Sequence, residues 1–210
     1  MSFMNYDKFD AINKKYKTIL VDPPWQYGNT STKNAAEKHY STMTLKDLQN
    51  MPIKSITDES GCHLHMWTTN SFLKTAIDLM WLWGFTYKSC FVWCKPQMGM
   101  GNYWRVSHEF LLFGHTKSEK FKRRDAMSWL IENRSKHSAK PGIVRRIIEE
   151  VSPGPYLEMF SRSTADGWDL FGDQLNTVNE ETSNTINSQL SIKNHWFRFF
   201  RKKEIEPILF

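Results

Sequence analysis

The tetrapeptide Asp22-Pro23-Pro24-Trp25 directly follows a short apolar run, Thr-Ile-Leu-Val, at residues 18–21. The run predicts a buried β-strand that ends at the tetrapeptide, because proline lacks the N–H that a sheet ladder requires. A residue that precedes proline is disfavoured in the helical region, so Asp22 and Pro23 are both held extended. The sequence therefore predicts a carboxylate presented rigidly at the tip of a strand, with an indole beside it.

This arrangement suits one demanding reaction, methyl transfer to the exocyclic amine of a nucleobase. The lone pair of such an amine is delocalised into the ring, and the nitrogen becomes nucleophilic only when acceptors hold its hydrogens. Asp22 and the carbonyl of Pro23 are candidate acceptors for charge that develops in the transition state. The face of Trp25 is a candidate stacking surface for the base. The alternative interpretation is a proline-terminated strand with an incidental tryptophan.

The remaining chain alternates between apolar strand patterns and helix patterns. The predicted strands are 18–21, 62–67, 86–95, 109–113, 156–160 and one near 168–171; the predicted helices are 45–51, 72–83 and 140–151. Strands that alternate with helices in this way predict a doubly wound α/β sheet. Ligands of such sheets bind outside the carboxyl ends of the strands, where Asp22 is expected to lie.

Two further patterns leave alternatives open. His63 and His65 alternate with apolar residues and should share one face of their strand, as a metal pair or, as we prefer, as a polar strand face. The cationic segment from Lys117 to Arg124 is either a solvated loop or a track for phosphates. A glycine-containing loop at residues 96–101 is expected to be mobile.

Composition narrows the class of protein. A chain of 210 residues accommodates one α/β domain and a tail. The net charge of +6 has the sign expected for a partner of a polyanion. Three cysteines are too few for a disulfide framework, and no apolar stretch reaches the length of a membrane span. We therefore expect a cytoplasmic protein with no membrane partner and no metal.

Seven segments, in order, resemble the adenine-N6 methyltransferases related to the catalytic subunit of the eukaryotic mRNA N6-adenosine methyltransferase, in a small prokaryotic or phage form. They are Asp22-Pro23-Pro24-Trp25, His39-Tyr40-Ser41-Thr42-Met43, His65-Met66-Trp67-Thr68-Thr69-Asn70, Trp93-Cys94-Lys95, Glu109-Phe110-Leu111-Leu112-Phe113-Gly114, His137-Ser138-Ala139-Lys140-Pro141, and the two blocks 157–162 and 168–174 counted together. The resemblance implies a Rossmann-like, S-adenosylmethionine-dependent methyltransferase fold. It also implies a permutation in which the catalytic strand precedes the cofactor-binding strand.

The resemblance also implies roles for individual residues. The catalytic residues are Asp22, Pro23, Pro24 and Trp25. The substrate pocket is lined by Tyr40, Trp67, Trp93, Lys95 and Glu109, although Trp67 and Trp93 are equally compatible with core positions. The cofactor S-adenosylmethionine is contacted by Asp22, Lys140, Phe160, Arg162, Thr164, Asp173 and Gln174, with Asp10 as an additional candidate. The chain has Thr164 where eukaryotic relatives have His, and Asp173 where they have Asn.

These observations predict methylation of the 6-amino group of adenine in DNA. The same chemistry on RNA is the alternative, and a catalytically silent nucleic-acid-binding partner subunit is an alternative from another class. We expect a methyltransferase domain over residues 1–176, a polar linker over 177–194 and an aromatic-basic tail over 195–210. A homodimer is a further expectation, because eukaryotic members of the family work as pairs of related subunits.

Overall fold

The computed structural model describes residues 13–26, 42–99, 101, 103–117, 120–134, 139–161 and 163–172. Within these residues one mixed sheet contains seven strands. They are β1 (Thr18–Val21), β2 (His63–Thr68), β3 (Thr86–Cys94), β4 (His108–His115), β5 (Trp129–Ile131), β6 (Tyr156–Met159) and β7 (Trp168–Phe171). Their order across the sheet is β5-β3-β4-β2-β1-β6-β7.

The sheet is parallel except for β4, which runs antiparallel to both of its neighbours, β2 and β3. β1 lies near the centre and pairs with β2 on one side and β6 on the other. The carboxyl ends of the six other strands therefore meet at one edge of the sheet, together with the start of β4. We call this the carboxyl edge, and Asp22 lies on it.

Three α-helices accompany the sheet in the described part of the chain: α1 (Leu45–Asn50), α2 (Leu73–Leu82) and α3 (Ile143–Val151). Thr44 caps α1 and exchanges hydrogen bonds with Asp47, as a capping box does. Gly84 follows α2 with a φ of +90°, a conformation that glycine adopts without strain. No helix in the described ranges has the length and apolar character needed to cross a membrane.

One face of the sheet carries most of the hydrophobic core. Ile19 and Val21 of β1 are buried there with Leu64 and Met66 of β2, and α2 contributes Leu79, Met80 and Ala76. The close fit is visible at Gly114 of β4, where an added Cβ would lie 2.6 Å from the Met80 methyl carbon. The alternation of β1 side chains thus directs Ile19 and Val21 to α2, and Thr18 and Leu20 to the opposite face.

The opposite face is packed by α3. Arg145 of α3 forms an ion pair with Glu158 of β6, and Ser152, which follows α3, lies between His63 and His65 of β2. Helices therefore cover both faces, and the predicted α/β class with a Rossmann-like sheet is confirmed. The strand that carries the tetrapeptide also precedes β6 and β7 in the chain, which is the order that the resemblance implies.

His63 and His65 do share one strand face, as their period-two spacing predicts. Nδ1 of His63 lies 2.9 Å, and Nε2 of His65 2.8 Å, from the hydroxyl oxygen of Ser152. Both histidines are buried, and burial lowers the pKa of His65 to about 3, with a smaller contribution from the charge of His63. Among the described residues no three His, Cys, Asp or Glu side chains converge as a metal site would require.

Some element boundaries differ from the sequence predictions. The strand β5 was not predicted, because its three residues are too few to show a period. The second helix begins at Leu73, one residue later than predicted, after a 3-10 turn over Asn70–Phe72. The third helix begins at Ile143, three residues after its predicted start at residue 140.

Candidate active site

The tetrapeptide is fixed by its own backbone and by one neighbouring segment. The N–H of Trp25 donates to the carbonyl of Pro23 over 2.8 Å, so the chain turns tightly around Pro24. The carbonyl of Pro24 accepts a 3.0 Å hydrogen bond from the N–H of Met43. Asp22 thus leaves the carboxyl end of β1 on a backbone with little freedom to move.

Trp25 occupies a different environment from the one predicted for a stacking surface. Its indole is only 6% exposed and stacks on Phe72, with ring centroids 5.0 Å apart and planes inclined by 11°. One ring face is therefore taken by the protein itself. Its buried Nε1–H has no acceptor among the residues that the structure describes.

Four charged side chains form a network at the carboxyl edge. Nζ of Lys140 lies 2.6 Å from a carboxylate oxygen of Asp22 and 3.4 Å from one of Glu109. The other oxygen of Glu109 pairs closely with Nζ of Lys95. We call these four residues the charge network: two carboxylates and two ammoniums, each with 12–22% of its side chain exposed.

Topology explains why residues so distant in sequence meet. Lys95 immediately follows β3, Glu109 is the second residue of β4, and the two strands pair in antiparallel register. Asp22 follows β1, and Lys140 lies just before α3. All four positions are at the carboxyl edge, the place where α/β sheets bind their ligands.

The network sets the charge state of Glu109. Burial alone would raise the pKa of its carboxyl group, but the nearby ammoniums of Lys140 and Lys95 outweigh burial and hold that pKa below its usual range. Glu109 is therefore ionised at neutral pH. As a consequence, Lys140 sits between two carboxylates and links Asp22 electrostatically to β4.

Two tryptophan rings lie under the ammonium groups of Lys95 and Lys140. Trp67 and Trp93 are each 2% exposed and meet edge to face, with centroids 6.2 Å apart. Nζ of Lys95 lies 4.4 Å from the ring centroid of Trp93, and Nζ of Lys140 lies 5.6 Å from that of Trp67, both within cation–π range. The Trp93 indole donates a 2.9 Å hydrogen bond to the carbonyl of Glu132. In this structure both rings are core residues that support the charges above them.

The residues that follow β6 and β7 form another part of the carboxyl edge. Phe160 follows β6 with a φ of +60°, a left-handed conformation that costs on the order of 1–3 kcal/mol for a residue with a side chain. Gly172, after β7, comes so close that an added Cβ would lie 2.7 Å from the carbonyl oxygen of Ser161. Thr164 is exposed in the connection between the two strands. Strained backbone of this kind is concentrated at functional sites.

Several predicted site residues lie outside the described residues. They are Asp10, Tyr40, Arg162, Asp173 and Gln174, and the predicted linker and tail lie outside as well.

Sequence reasoning missed one charged pair beside the network. Glu158 of β6 and Arg145 of α3 lie 2.6 Å apart with 14% and 19% of their side chains exposed. Burial raises the pKa of Glu158, and the negative charge of Asp22 adds to that rise, against the opposing effect of Arg145. A glutamate within the apolar strand Tyr-Leu-Glu-Met was the available signal, because a buried acid in a strand requires a partner.

The cationic segment that suggested a phosphate track lies at the opposite edge of the sheet. It follows β4, whose last residue, His115, pairs with the first residue of β2. Arg123 there pairs with Asp125 and with Glu150, and the ammonium of Lys122 donates to the carbonyl of Glu149. These contacts favour a solvated, internally paired segment over a phosphate track beside Asp22.

Comparisons with known proteins agree on one family. The family model for MT-A70 matches residues 16–174. The chain is 34% identical over 181 residues to the type II methyltransferase M.MunI of a Mycoplasma species, a match that covers 76% of this chain and 77% of that protein.

Eukaryotic relatives match over a smaller share of their length. Identity is 25% with the N6-methyladenosine RNA methyltransferase MTA1 of Cryphonectria parasitica, over 80% of this chain and 54% of that protein. It is 24% with the human N(6)-adenine-specific methyltransferase METTL4, over 77% of this chain and 38% of that protein. The chain thus spans about half or less of these two relatives.

The methyltransferases of the family depend on S-adenosylmethionine. Because the family model covers most of the chain and the M.MunI match covers three quarters of both proteins, this chain belongs to the MT-A70 family and is a methyltransferase.

Proposed function

We propose that this protein transfers a methyl group from S-adenosylmethionine to the N6 amino group of adenine in DNA. The observation that carries the proposal is the position of Asp22, a rigidly held carboxylate at the carboxyl edge, 2.6 Å from the ammonium of Lys140. The match to a type II methyltransferase, at higher identity and over more of its length than the match to an RNA methyltransferase, favours DNA. RNA is the second candidate, supported by the name of the Cryphonectria relative.

The hydrogen-bond acceptors in the tetrapeptide can make the exocyclic amine of adenine nucleophilic, although its lone pair is delocalised into the ring. The carboxylate of Asp22 accepts one N–H of the adenine amine and draws electron density toward the nitrogen. The carbonyl of Pro23 already accepts from Trp25 but keeps a second lone pair for the other N–H. Two acceptors at fixed positions favour the pyramidal nitrogen of the transition state over the planar amine of free adenine. As the nitrogen–methyl bond forms and the donor's sulfur–methyl bond breaks, the nitrogen loses one proton, for which the Asp22 carboxylate is the proposed acceptor, and no covalent enzyme intermediate is required.

Lys140 positions Asp22 for this role. Its ammonium holds one carboxylate oxygen of Asp22 and is itself held by Glu109. The second oxygen of Asp22 is the one directed to substrate in our proposal. Lys95 pairs with Glu109 and fixes its orientation, while Trp93 and Trp67 lie under the ammoniums of Lys95 and Lys140.

The residues at the edge fit S-adenosylmethionine, which supplies an electrophilic methyl group when bound. An ammonium at Lys140 suits the carboxylate of the methionine portion, and the hydroxyl of Thr164 suits a ribose hydroxyl. The ring of Phe160 is partly buried against the core and offers an apolar wall for the adenine portion. We further propose Arg162, Asp173, Gln174 and Asp10 as contacts, on the basis of the family resemblance alone.

An adenine within duplex DNA is out of reach of a carboxylate at a sheet edge, so the base must leave the stack. Because one face of Trp25 is stacked on Phe72, Trp25 is not the stacking surface for the base in this proposal. Trp25 instead fixes the turn that directs the Pro23 carbonyl, and we propose Tyr40, one of the residues expected in the substrate pocket, as the residue that stacks on the base.

The decisive experiment incubates the purified protein with methyl-labelled S-adenosylmethionine and one of four substrates. These are single-stranded and duplex DNA and RNA of matched base sequence; a separate reaction contains unmethylated genomic DNA, which offers many sequence contexts. Digestion to nucleosides and mass spectrometry identify the product. We expect N6-methyldeoxyadenosine, formed by Asp22→Asn on the order of a hundredfold to a thousandfold more slowly than by the wild type. Label only in RNA would transfer the proposal to the second candidate, and no label in any nucleic acid would refute both.

A further inference from the structure

The loop between β3 and β4 presents two aromatic side chains to solvent. Tyr103 is 96% exposed and Trp104 is 88% exposed, more than any other large hydrophobic side chain in the described residues. Side chains of this size normally bury most of their surface, and neighbouring exposed aromatics indicate a binding surface.

This loop lies at the same edge as the charge network. Its two ends are joined by the 2.7 Å hydrogen bond from the N–H of Lys95 to the carbonyl of Ser107. Lys95 and Glu109, which flank the loop in sequence, form an ion pair within the charge network. A nucleic acid that delivers a base to Asp22 therefore comes close to this loop.

Several contacts support the loop, although its glycines led us to expect a mobile segment. Gly99 passes so close to the opposite arm that an added Cβ would lie 1.7 Å from the carbonyl oxygen of Val106. The guanidinium of Arg134 donates to the carbonyls of Met98, over 3.0 Å, and Gln97. The Gln97 amide in turn donates to the side chain of Asn133 over 2.9 Å. The aromatic pair is thus carried on a supported loop, which limits the conformational entropy lost when a partner binds.

The charge beside the aromatic pair suits a polyanion. Arg105 follows the pair directly and is exposed, with one hydrogen bond from its guanidinium to the carbonyl of Gly101. Arg134 adds a second exposed guanidinium at the base of the loop. Aromatic rings interleaved with arginine are typical of proteins that stack on unpaired bases while holding the phosphates around them.

We propose that Tyr103 and Trp104 stack on bases of the DNA next to the target adenine, and that they stabilise the opened duplex while that adenine occupies the site. This inference rests on the proposed function and deepens it. A base leaves the helix only if its unstacking energy, a few kcal/mol, is offset by other contacts. Side chains that insert beside or replace the displaced base provide that offset.

The test compares Trp104→Ala and Tyr103→Ala with Trp81→Ala. Trp81 is a matched control because it is 77% exposed and lies near the end of α2, toward the opposite edge of the sheet. Duplex DNA binding is measured by fluorescence anisotropy across a range of salt concentrations, and methyl transfer is measured on the same DNA. We expect each loop variant to lose about tenfold or more in DNA affinity, in line with the loss of one stacked base.

The salt dependence distinguishes stacking from charge. The loop variants should keep the wild-type slope of log Kd against log salt, because they remove no phosphate contact, whereas Arg105→Ala should reduce it. Melting temperatures should not change, since the removed rings are solvent-exposed. If both loop variants bind DNA as tightly as the wild type does, the inference is overturned. The proposed function still stands in that case, provided that the wild-type protein transfers methyl groups to DNA. Conversely, absence of methyl transfer by the wild type would count against the proposed function itself.

Discussion

The substitution Asp22→Asn affects both the rate of methyl transfer and the stability of the fold. Asn has the shape of Asp but accepts weakly and carries no charge. Loss of one transition-state acceptor of this kind lowers the rate on the order of a hundredfold to a thousandfold. The same substitution removes one of the two carboxylates that hold Lys140, at 2.6 and 3.4 Å.

The structure bounds the cost in stability. Removing one partner from a buried ion pair costs about 3–5 kcal/mol when the remaining charge is left alone. Lys140 retains Glu109, and water reaches about a fifth of the side chains of both Lys140 and Asp22, whose exposures are 19% and 22%. We therefore discount the cost to about 1–2 kcal/mol for Asp22→Asn. Glu109→Gln leaves Lys140 with Asp22 in the same way.

The double variant Asp22→Asn with Glu109→Gln leaves Lys95 and Lys140 with no carboxylate from the charge network. Its loss of stability should exceed the sum of the single losses by at least about 1 kcal/mol, because Lys140 is shared. Urea unfolding of the four proteins at pH 7 measures this coupling energy. Asp78→Asn is the control, since its pair with Lys74 on α2 is mostly exposed and should contribute about 0.5 kcal/mol or less. Additive losses would refute the sharing of Lys140, and activity of Asp22→Asn within threefold of wild type would refute the mechanism.

Three further predictions test other parts of the molecule. S-adenosylmethionine should raise the melting temperature of the wild type and of Lys74→Met, an exposed control, but should have little effect on Lys140→Met; equal shifts in all three would remove Lys140 from the cofactor site. Burial lowers the pKa of His65 to about 3 in the folded protein, whereas the same imidazole has a pKa near 6.5 in the unfolded chain. Between pH 3 and pH 6.5 the unfolded state therefore binds more protons than the folded state. The contribution of His65 to the free energy of unfolding should be complete above about pH 6.5 and should fall by about 1.4 kcal/mol per pH unit as the pH drops toward 3. Urea unfolding at pH 7, 6 and 5 measures this slope, which should be smaller for His65→Gln. Lys120→Ala with Arg124→Ala, at the opposite edge from Asp22, should leave DNA affinity and its salt slope almost unchanged by anisotropy; a smaller slope would restore the phosphate-track hypothesis.

Local patterns were sufficient to predict most of the sheet. The apolar run before Asp22 became β1, and the alternation around His63 and His65 became a strand whose histidines do share a face. The helix pattern predicted at residues 45–51 became α1, whose start is capped by Thr44 within the same turn. Interactions within a few residues decide these features, so a single sequence contains them.

Features that depend on the third dimension were not predictable in this way. The contact of Lys140 with both Asp22 and Glu109 depends on strand order and direction, which no local pattern specifies. The burial of Trp25 against Phe72 likewise arises from packing between the tetrapeptide and the start of α2. The family resemblance implied that one site contains Asp22, Glu109 and Lys140. It did not imply that Lys140 forms ion pairs with both carboxylates.

The central place of β1 has a consequence for synthesis of the chain. One edge of β1 pairs with β2, but the other pairs with β6, which follows more than half the chain later. At ribosomal speeds of about 5–20 residues per second, the apolar strand beside Asp22 waits on the order of ten seconds with one edge unpaired. An unpaired apolar edge is a template for association with other chains. The nascent protein therefore passes through an aggregation-prone interval that ends only when β6 emerges, and fragments that stop before Tyr156 should require a chaperone to stay in solution.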